Sequence, residues 1–305
     1  MEAITDHYNS VYNIADAQPP VFCQQTREGF KNLDDPIRVS EVEDAILSSA
    51  NNKAPGEDGI CNEHLKGSLI VMRESWTAIF NHCLEFSALP ADWRRCQTFL
   101  LYKGKGDTSD PNNYRAICLQ NHVFKCFTKI LKDRLQSAVD NLMNENQFGF
   151  RKEKSTSDAL FVFARSVMPV FEEGKKSLSR YALFVDFSKA FDSVCRQTIV
   201  SKLRDRFGIN GKFLNLIVTV LQDNEMQLCN LRSNENPTIR QNIGVQQGDS
   251  LSPFLFILFA DDLLAFLNHK SAGKQIDCVM YADDLLCVIT QTAKELKFIL
   301  RCLQA

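Results

Sequence analysis

The sequence predicts an α+β fold, and three observations carry the prediction. Helix signals recur at 40–51, 69–87, 123–139 and 252–259. Tyr181-Ala182-Leu183-Phe184-Val185 is a short continuous apolar run of strand length, expected to be buried on both faces, and Asp186 follows it directly. Residues 278–289 form two apolar pieces around Ala282-Asp283-Asp284, the pattern of a β-hairpin whose turn carries carboxylates.

Taken in chain order, residues 1–35 are polar without a clear period and read as a loosely packed extension. Ser40-Glu41-Val42-Glu43 has the S-x-x-E form of a capping box and should start a short helix that stops near Asn51-Asn52. Lys53-Ala54-Pro55-Gly56-Glu57-Asp58-Gly59 is a turn-rich loop. After the helix at 69–87, Pro90 and Trp93 open a stretch that becomes a strand at Gln97–Tyr102, followed by the loop Lys103-Gly104-Lys105-Gly106-Asp107. The helix from Val123 to Val139 sets Lys125, Lys129 and Lys132 on neighbouring turns of one side. Gly244-Val245-Gln246-Gln247-Gly248-Asp249 is a glycine-bounded loop whose exposed backbone, just before a helix, suits a phosphate or a stacked base. Ser252-Pro253 has the chemistry of an N-cap followed by proline at N1, so an apolar helix begins there and runs through Phe259. Ala260-Asp261-Asp262-Leu263-Leu264 imitates the hairpin's acidic sequence but continues that helix, where adjacent residues diverge by about 100°. Asp261 and Asp262 are therefore expected to face solvent.

Composition bounds the function. The chain has 305 residues, 45% of them hydrophobic and 24% charged, enough for one large or two smaller cores. No apolar run reaches the ~18 residues of a membrane span, and the N-terminus has neither the basic nor the apolar region of a signal peptide. The 11 cysteines form no CxxC or CxC spacing, which excludes the usual zinc motifs and fits a reduced intracellular compartment. The formal net charge of −2 hides an asymmetry: residues 1–93 hold 6 Lys/Arg against 15 Asp/Glu, whereas residues 94–154 hold 12 against 6. That middle segment either tracks a phosphate backbone or is a solvated basic face.

The hairpin acids carry the chemistry. No Lys, Arg or His lies between Cys278 and Ile289 to pair with Asp283 and Asp284. Carboxylates in an apolar setting need a partner, and a divalent cation is the simplest one. Strands side by side would bring Asp186 to Asp283 and Asp284. Two metal ions about 3.5–4 Å apart, shared by carboxylates, are the usual device for phosphoryl or nucleotidyl transfer. Hard oxygen ligands favour Mg2+ or Mn2+ over zinc. The alternative for any lone aspartate is a turn cap.

In this order the motifs resemble the reverse transcriptase of non-LTR (LINE-type) retrotransposons, over roughly residues 50–290. Lys53-Ala54-Pro55-Gly56-Glu57-Asp58-Gly59-Ile60 is similar to the family's K-A-P-G-x-D-G-I block. Leu101–Asp107 with Asn113-Tyr114-Arg115-Ala116-Ile117 is similar to its first finger motif, and Asn146-Gln147-Phe148-Gly149-Phe150-Arg151 with Ser155-Thr156 to its Q-x-G-F-R…S-T block. Phe184-Val185-Asp186-Phe187-Ser188-Lys189-Ala190-Phe191-Asp192 resembles motif A, Gly244–Pro253 motif B and Tyr281-Ala282-Asp283-Asp284 motif C. The resemblance implies a right-hand polymerase fold. Residues 1–80 would be an N-terminal extension and 81–305 the polymerase domain, with fingers at about 89–179 and a palm with an antiparallel sheet at about 180–305. It implies RNA-templated DNA synthesis with two Mg2+ (or Mn2+) ions on Asp186, Asp283 and Asp284. RNA template, DNA primer and dNTP would be the partners, without a membrane. Lys103, Lys105 and Arg115 would hold the triphosphate. Phe187, Gln247 and Gly248 would line the dNTP site, with Phe191 the gate against a 2′-hydroxyl, the group that separates RNA from DNA precursors. Arg151 would meet the template backbone.

The sequence departs from the family after motif C. The following block, the primer grip, the helical thumb and the endonuclease are not found before Ala305, so a fragment of a longer polyprotein or a truncated copy is expected. Two other readings stand beside an active polymerase that acts in the nucleus. One is a catalytically inactive remnant that binds RNA through residues 94–154. The other is a group II intron-type maturase, against which the K-A-P-G-x-D-G-I block and the F-S-K-A-F-D form of motif A both lean.

Overall fold

The computed structural model describes residues 2–15, 17–21, 30–168, 180–229, 236–270, 276–290 and 297. The chain forms two compact units that interleave along the sequence. The first comprises residues 1–139 and 191–255, the second residues 140–190 and 256–305.

The first unit is built on a four-stranded sheet of order β2-β1-β4-β5. Strand β1 (Arg95–Tyr102) pairs antiparallel with β2 (Tyr114–Leu119) and parallel with β4 (Asn224–Cys229), which pairs antiparallel with β5 (Thr238–Gln241). One face buries Cys96, Ala116, Cys118, Met226, Leu228 and Ile239 beneath Tyr8 and Tyr12 of helix α1 (Glu2–Tyr12). This corrects the expectation of a loosely packed start. Ile4, Tyr8, Val11 and Tyr12 fall at i, i+4, i+7 and i+8, one helical face with a sheet to cover it.

Helices α2 (Val39–Leu47), α3 (Asn62–Phe86) and α4 (His122–Val139) pack on one another through residues such as Ile46, Phe80 and Phe127. Helix α2 begins two residues earlier than the S-x-x-E reading placed it: the Arg38 backbone N–H donates to Glu41 Oε2 at 2.9 Å, so Glu41 closes the cap. Glu43 instead pairs with Arg73 at 2.6 Å. The lysine side of α4 is half-buried, with Lys129 donating to Ser48 Oγ.

Helices α6 (Arg196–Asp205) and α7 (Gly211–Leu221) add Ile199, Leu203, Phe213 and Leu214 to the core. Arg196 is 2% exposed and donates to the carbonyls of Gly244, Gln241 and Leu221, so a buried cation shapes the approach to the Gly244–Asp249 loop. Burial pushes its pKa down.

The second unit holds an antiparallel sheet of order β3-β7-β6, made of β3 (Arg180–Asp186), β7 (Asp284–Thr290) and β6 (Ile276–Tyr281). Helix α5 (Thr156–Val167) packs on β6 and β7. Helix α8 (Leu251–Lys270) runs eleven residues past Phe259 and contributes Leu264 and Leu267 to a cluster with Cys278, Met280, Leu285 and Cys287. Its first turn is capped from outside, because Asp249 Oδ1 accepts from the Ser252 N–H at 2.7 Å; Ser252 lies inside the helix.

Strand β3 is covered on one face only. Leu183, Val185 and Phe187 pack on the cluster, while Phe184 on the opposite face is 73% exposed. The opposite side is open over β3 but closed over β6 and β7, where Val279 and Val288 are buried and α5 packs, so β3, an edge strand, lacks the expected two-sided burial.

Candidate active site

The acidic group is a product of strand register. In the β3–β7 ladder Asp186 stands directly opposite Asp284, so both carboxylates project from the same face, the one that carries Phe184. Tyr281 and Asp284 close the β6–β7 hairpin, which leaves Ala282 and Asp283 as its two-residue turn; the hairpin is the predicted one, but Asp284, expected in the turn, opens β7. Ala282 has a φ of 56° while Asp283 stays at negative φ, the sign pattern of a II′ hairpin turn.

Asp186 and Asp284 are exposed and Asp283 is half-buried. Costly burial therefore applies to Asp283 alone. Its pKa is raised, first by burial and then by the negative charges of Asp284 and Asp186. Like charges at facing positions destabilise a sheet, and none of the ion pairs among the described residues includes these three acids. The donor set is all oxygen and all negative, and it fits a hard divalent cation. Among the described residues no group of three or more Asp, Glu, His or Cys side chains is arranged to hold a metal ion as it stands.

The turn is braced from behind. Residues 146–148 run alongside β6: the Met280 N–H donates to Asn146 O, and the Phe148 N–H to Met280 O, both at 2.8 Å. Gln147, fully buried, accepts from the Ala282 N–H at 3.1 Å and the Gly149 N–H at 2.9 Å, and donates to Ala282 O at 3.4 Å. Gly149 lies so close that a Cβ would overlap the Ala282 amide nitrogen. Side chain and backbone together hold a non-glycine residue in a left-handed conformation that costs of order 1–3 kcal/mol and persists only where its surroundings impose it.

The first unit carries the remaining predicted residues. Lys103, Lys105 and Arg115 are exposed at and beside the β1–β2 turn; Arg115 faces the exposed Leu101 across the ladder, and Lys103 Nζ donates to Asn112 O at 2.6 Å. The Gly244–Asp249 loop docks on two neighbours. The Val245 N–H donates to Phe191 O at 2.9 Å, and the Cys118 N–H to Gln247 O at 3.1 Å. Gly248, at φ 145°, rests against the Cys118 carbonyl where a Cβ would clash. Gln247 and Gly248 thus lie against β2 and the Phe191 carbonyl against Val245, while Phe187 belongs to the second unit and spends its ring on the core.

Residues 103–305 match the reverse transcriptase (RNA-dependent DNA polymerase) family. The chain belongs to that family. Within this reverse transcriptase family its similarity runs to the polymerases of non-LTR retrotransposons. It is 26% identical over 253 residues to the probable RNA-directed DNA polymerase from transposon BS of Drosophila melanogaster, covering 82% of this chain and 27% of that protein. It is 24% identical over 287 residues to the RNA-directed DNA polymerase from mobile element jockey of the same species, covering 90% of this chain and 30% of that protein. The Pol polyprotein of retrotransposable element R2 from Popillia japonica is 28% identical over 257 residues, 82% of this chain and 34% of that protein. The chain thus spans about a quarter to a third of the length of these relatives. Among solved structures, apo telomerase from Candida tropicalis, truncated from its C-terminal domain, matches with a TM-score of 0.51 and 14% identity over 76% of this chain and 52% of that one. That likeness shows a polymerase fold of mixed α and β content.

Two residues lie in surroundings other than those expected of them. Arg151, expected at the template, has a side chain only 5% exposed. Its Nε and Nη2 grip Asp140 Oδ1 and Oδ2 at 3.1 and 3.0 Å; further bonds reach the carbonyls of Asp140, Asn144 and Gln147. Five hydrogen bonds match the five N–H donors of a guanidinium, so the fold uses Arg151 to secure the strap that carries Gln147. Asp261, expected in solvent, does continue α8 but is 1% exposed and accepts from the Asn144 N–H at 2.7 Å. A buried carboxylate is satisfied there by a backbone amide at the start of the same strap. No helix among the described residues is long and apolar enough to cross a membrane.

Proposed function

We propose that the chain is the fingers-and-palm portion of an RNA-directed DNA polymerase, transferring a nucleotidyl group from a dNTP to a primer 3′-hydroxyl on an RNA template. The register that sets Asp186 opposite Asp284, with Asp283 in the adjoining turn, carries the proposal. Those three acids would hold two Mg2+ (or Mn2+) ions. Bound there, the cations would supply positive charge that lowers the pKa of the attacking hydroxyl and offsets the negative charge developing on the leaving group.

The chain's own residues would bind and orient. Arg115 offers a planar fork to a triphosphate, and Lys103 and Lys105 add mobile positive charge beside it. Phe191 would stand at the sugar; its carbonyl is tied to Val245, which fixes its backbone. Gln247 and Gly248 would line the templating pair. RNA template, DNA primer and the rest of a larger polyprotein, thumb and endonuclease included, are the partners this reading requires, and the nucleus is its place of action.

The test is primer extension on an RNA template with Mg2+ and dNTPs, using this chain beside Asp186→Asn. Extension by the parent alone supports the proposal. Extension by both refutes the acid assignment, and extension by neither transfers the chain to the class of RNA-binding remnants.

A further inference from the structure

We propose that helix α1 belongs to the nucleotide-selecting machinery through Tyr12, a positioning residue that acts on Gln247 by way of Asp192. The Tyr12 hydroxyl, on a side chain 3% exposed, donates to Asp192 Oδ1 at 2.8 Å. Gln247 Nε2 donates to the same oxygen at 3.1 Å. One carboxylate oxygen therefore links the end of α1 to the loop residue read as a dNTP contact. Hydrogen bonds to an ionised acceptor are about twice as strong as neutral ones. With two donors fixed on one atom, removing either alters the position available to the other.

A second tether makes α1 more than a cover for the sheet. The Asn242 N–H donates to Tyr12 O at 2.9 Å; its side chain accepts from the Ile14 N–H and donates to Ile14 O, each at 2.9 Å. Asn242 lies two residues before Gly244, where the loop begins. The end of α1 thus holds the loop at its entrance through Asn242 and at Gln247 through Asp192. Asp192 also follows Phe191, whose carbonyl the loop residue Val245 holds, so the gate and the glutamine share one frame. Tyr8 has a different part: its ring stacks near Tyr12 and fills the apolar cluster. Burial, and then the charge of Asp192, push the Tyr12 hydroxyl far above its ordinary pKa, so it remains a donor at any working pH.

The inference rests on the reading of Gln247 and Phe191 as nucleotide contacts, and its test separates the two. Tyr12→Phe keeps the ring and its packing and deletes one hydroxyl. In primer extension, dNTP KM should rise about tenfold with kcat within about twofold. Gln247→Ala should raise KM as well, and the double variant should be no worse than Gln247→Ala alone. Additive effects, or a loss of kcat at unchanged KM, overturn the proposal. Should the parent not extend a primer, the same cycle is read from urea unfolding. Non-additivity of about threefold or more in the unfolding constant then supports the linkage through Asp192, and simple additivity overturns it, whatever becomes of the polymerase reading.

Discussion

Asp186 and Asp284 face each other across the β3–β7 ladder, so the sheet itself sets two negative charges side by side. Asp283 in the adjoining turn bears the consequence. Its raised pKa, caused by burial and then by those two neighbours, means that ionisation is harder in the folded chain than in the unfolded one. A carboxyl of this kind penalises the fold above its pKa, and the penalty fades as pH falls through it. Without divalent cations, Asp283→Asn should therefore raise the melting temperature at neutral pH and reduce the gain on acidification. With Mg2+ the parent should gain stability by mass action, and the variant should gain less. Nucleotide incorporation should meanwhile fall roughly 10^3-fold. Thermal unfolding with and without Mg2+, beside primer extension, checks both parts; a variant that melts lower without metal contradicts the electrostatic account.

Gln147 holds the same turn by the amides of Ala282 and Gly149. Gln147→Leu keeps much of the volume and leaves both N–H groups buried without an acceptor, each costing about 1–3 kcal/mol. The expected loss of stability is roughly 2–4 kcal/mol by urea denaturation. Activity should drop beyond what the unfolded fraction explains, because Ala282 loses the partner that holds it at positive φ. Mn2+ affinity read by electron paramagnetic resonance should weaken with it; unchanged affinity would show that the turn keeps its geometry unaided.

How far these features were legible depends on the range of the forces behind them. The hairpin at 276–290 and the strand ending at Asp186 announce themselves in short apolar runs broken by acids, because burial and turn chemistry act locally. Helix α1 left a weaker trace: Ile4, Tyr8, Val11 and Tyr12 have helical spacing, but the sheet that makes burying them worthwhile begins at Arg95. Gln147 shows only as the glutamine of the Q-x-G-F-R block and gives no sign of its role, since its partner is a turn 135 residues away. Asp261 shows both sides. Its helix is a local property and was legible, while its burial depends on an amide at Asn144, 117 residues distant. The cap at Asp249 was missed for the opposite reason: Ser252-Pro253 offers equally good local chemistry three residues later, and only the hydrogen bond decides between them.

Arg151 separates a structural role from nucleic-acid contact. A residue on the phosphate backbone contributes to the salt dependence of binding, and its loss lowers the slope of log affinity against log salt by about 1. Arg151→Lys cannot reproduce the paired bonds to Asp140 or reach three carbonyls. The variant should unfold at lower temperature yet bind RNA with an unchanged salt slope. Filter binding across a salt series measures this directly, and a slope reduced by about one unit would return Arg151 to the template.

Phe191 tests the selectivity face on the first unit. Its backbone is anchored, because its carbonyl accepts from Val245 N–H, so truncating the side chain need not displace the loop. In the proposed gate role the contribution of the ring would be steric, filling space that a 2′-hydroxyl needs. Removing it should relax discrimination against ribonucleotides by roughly tenfold or more, the scale at which a pocket senses a small change in bulk. In Phe191→Ala, kcat/KM for a dNTP should fall modestly while that for the matching rNTP rises, so the change in ratio comes chiefly from the ribonucleotide. Parallel losses for both substrates would point to a displaced loop, and an unchanged ratio would move the gate to another residue. Tyr12→Phe supplies the contrast. It leaves the ring of Phe191 in place and loosens Gln247, so both substrates should weaken together and the ratio should hold.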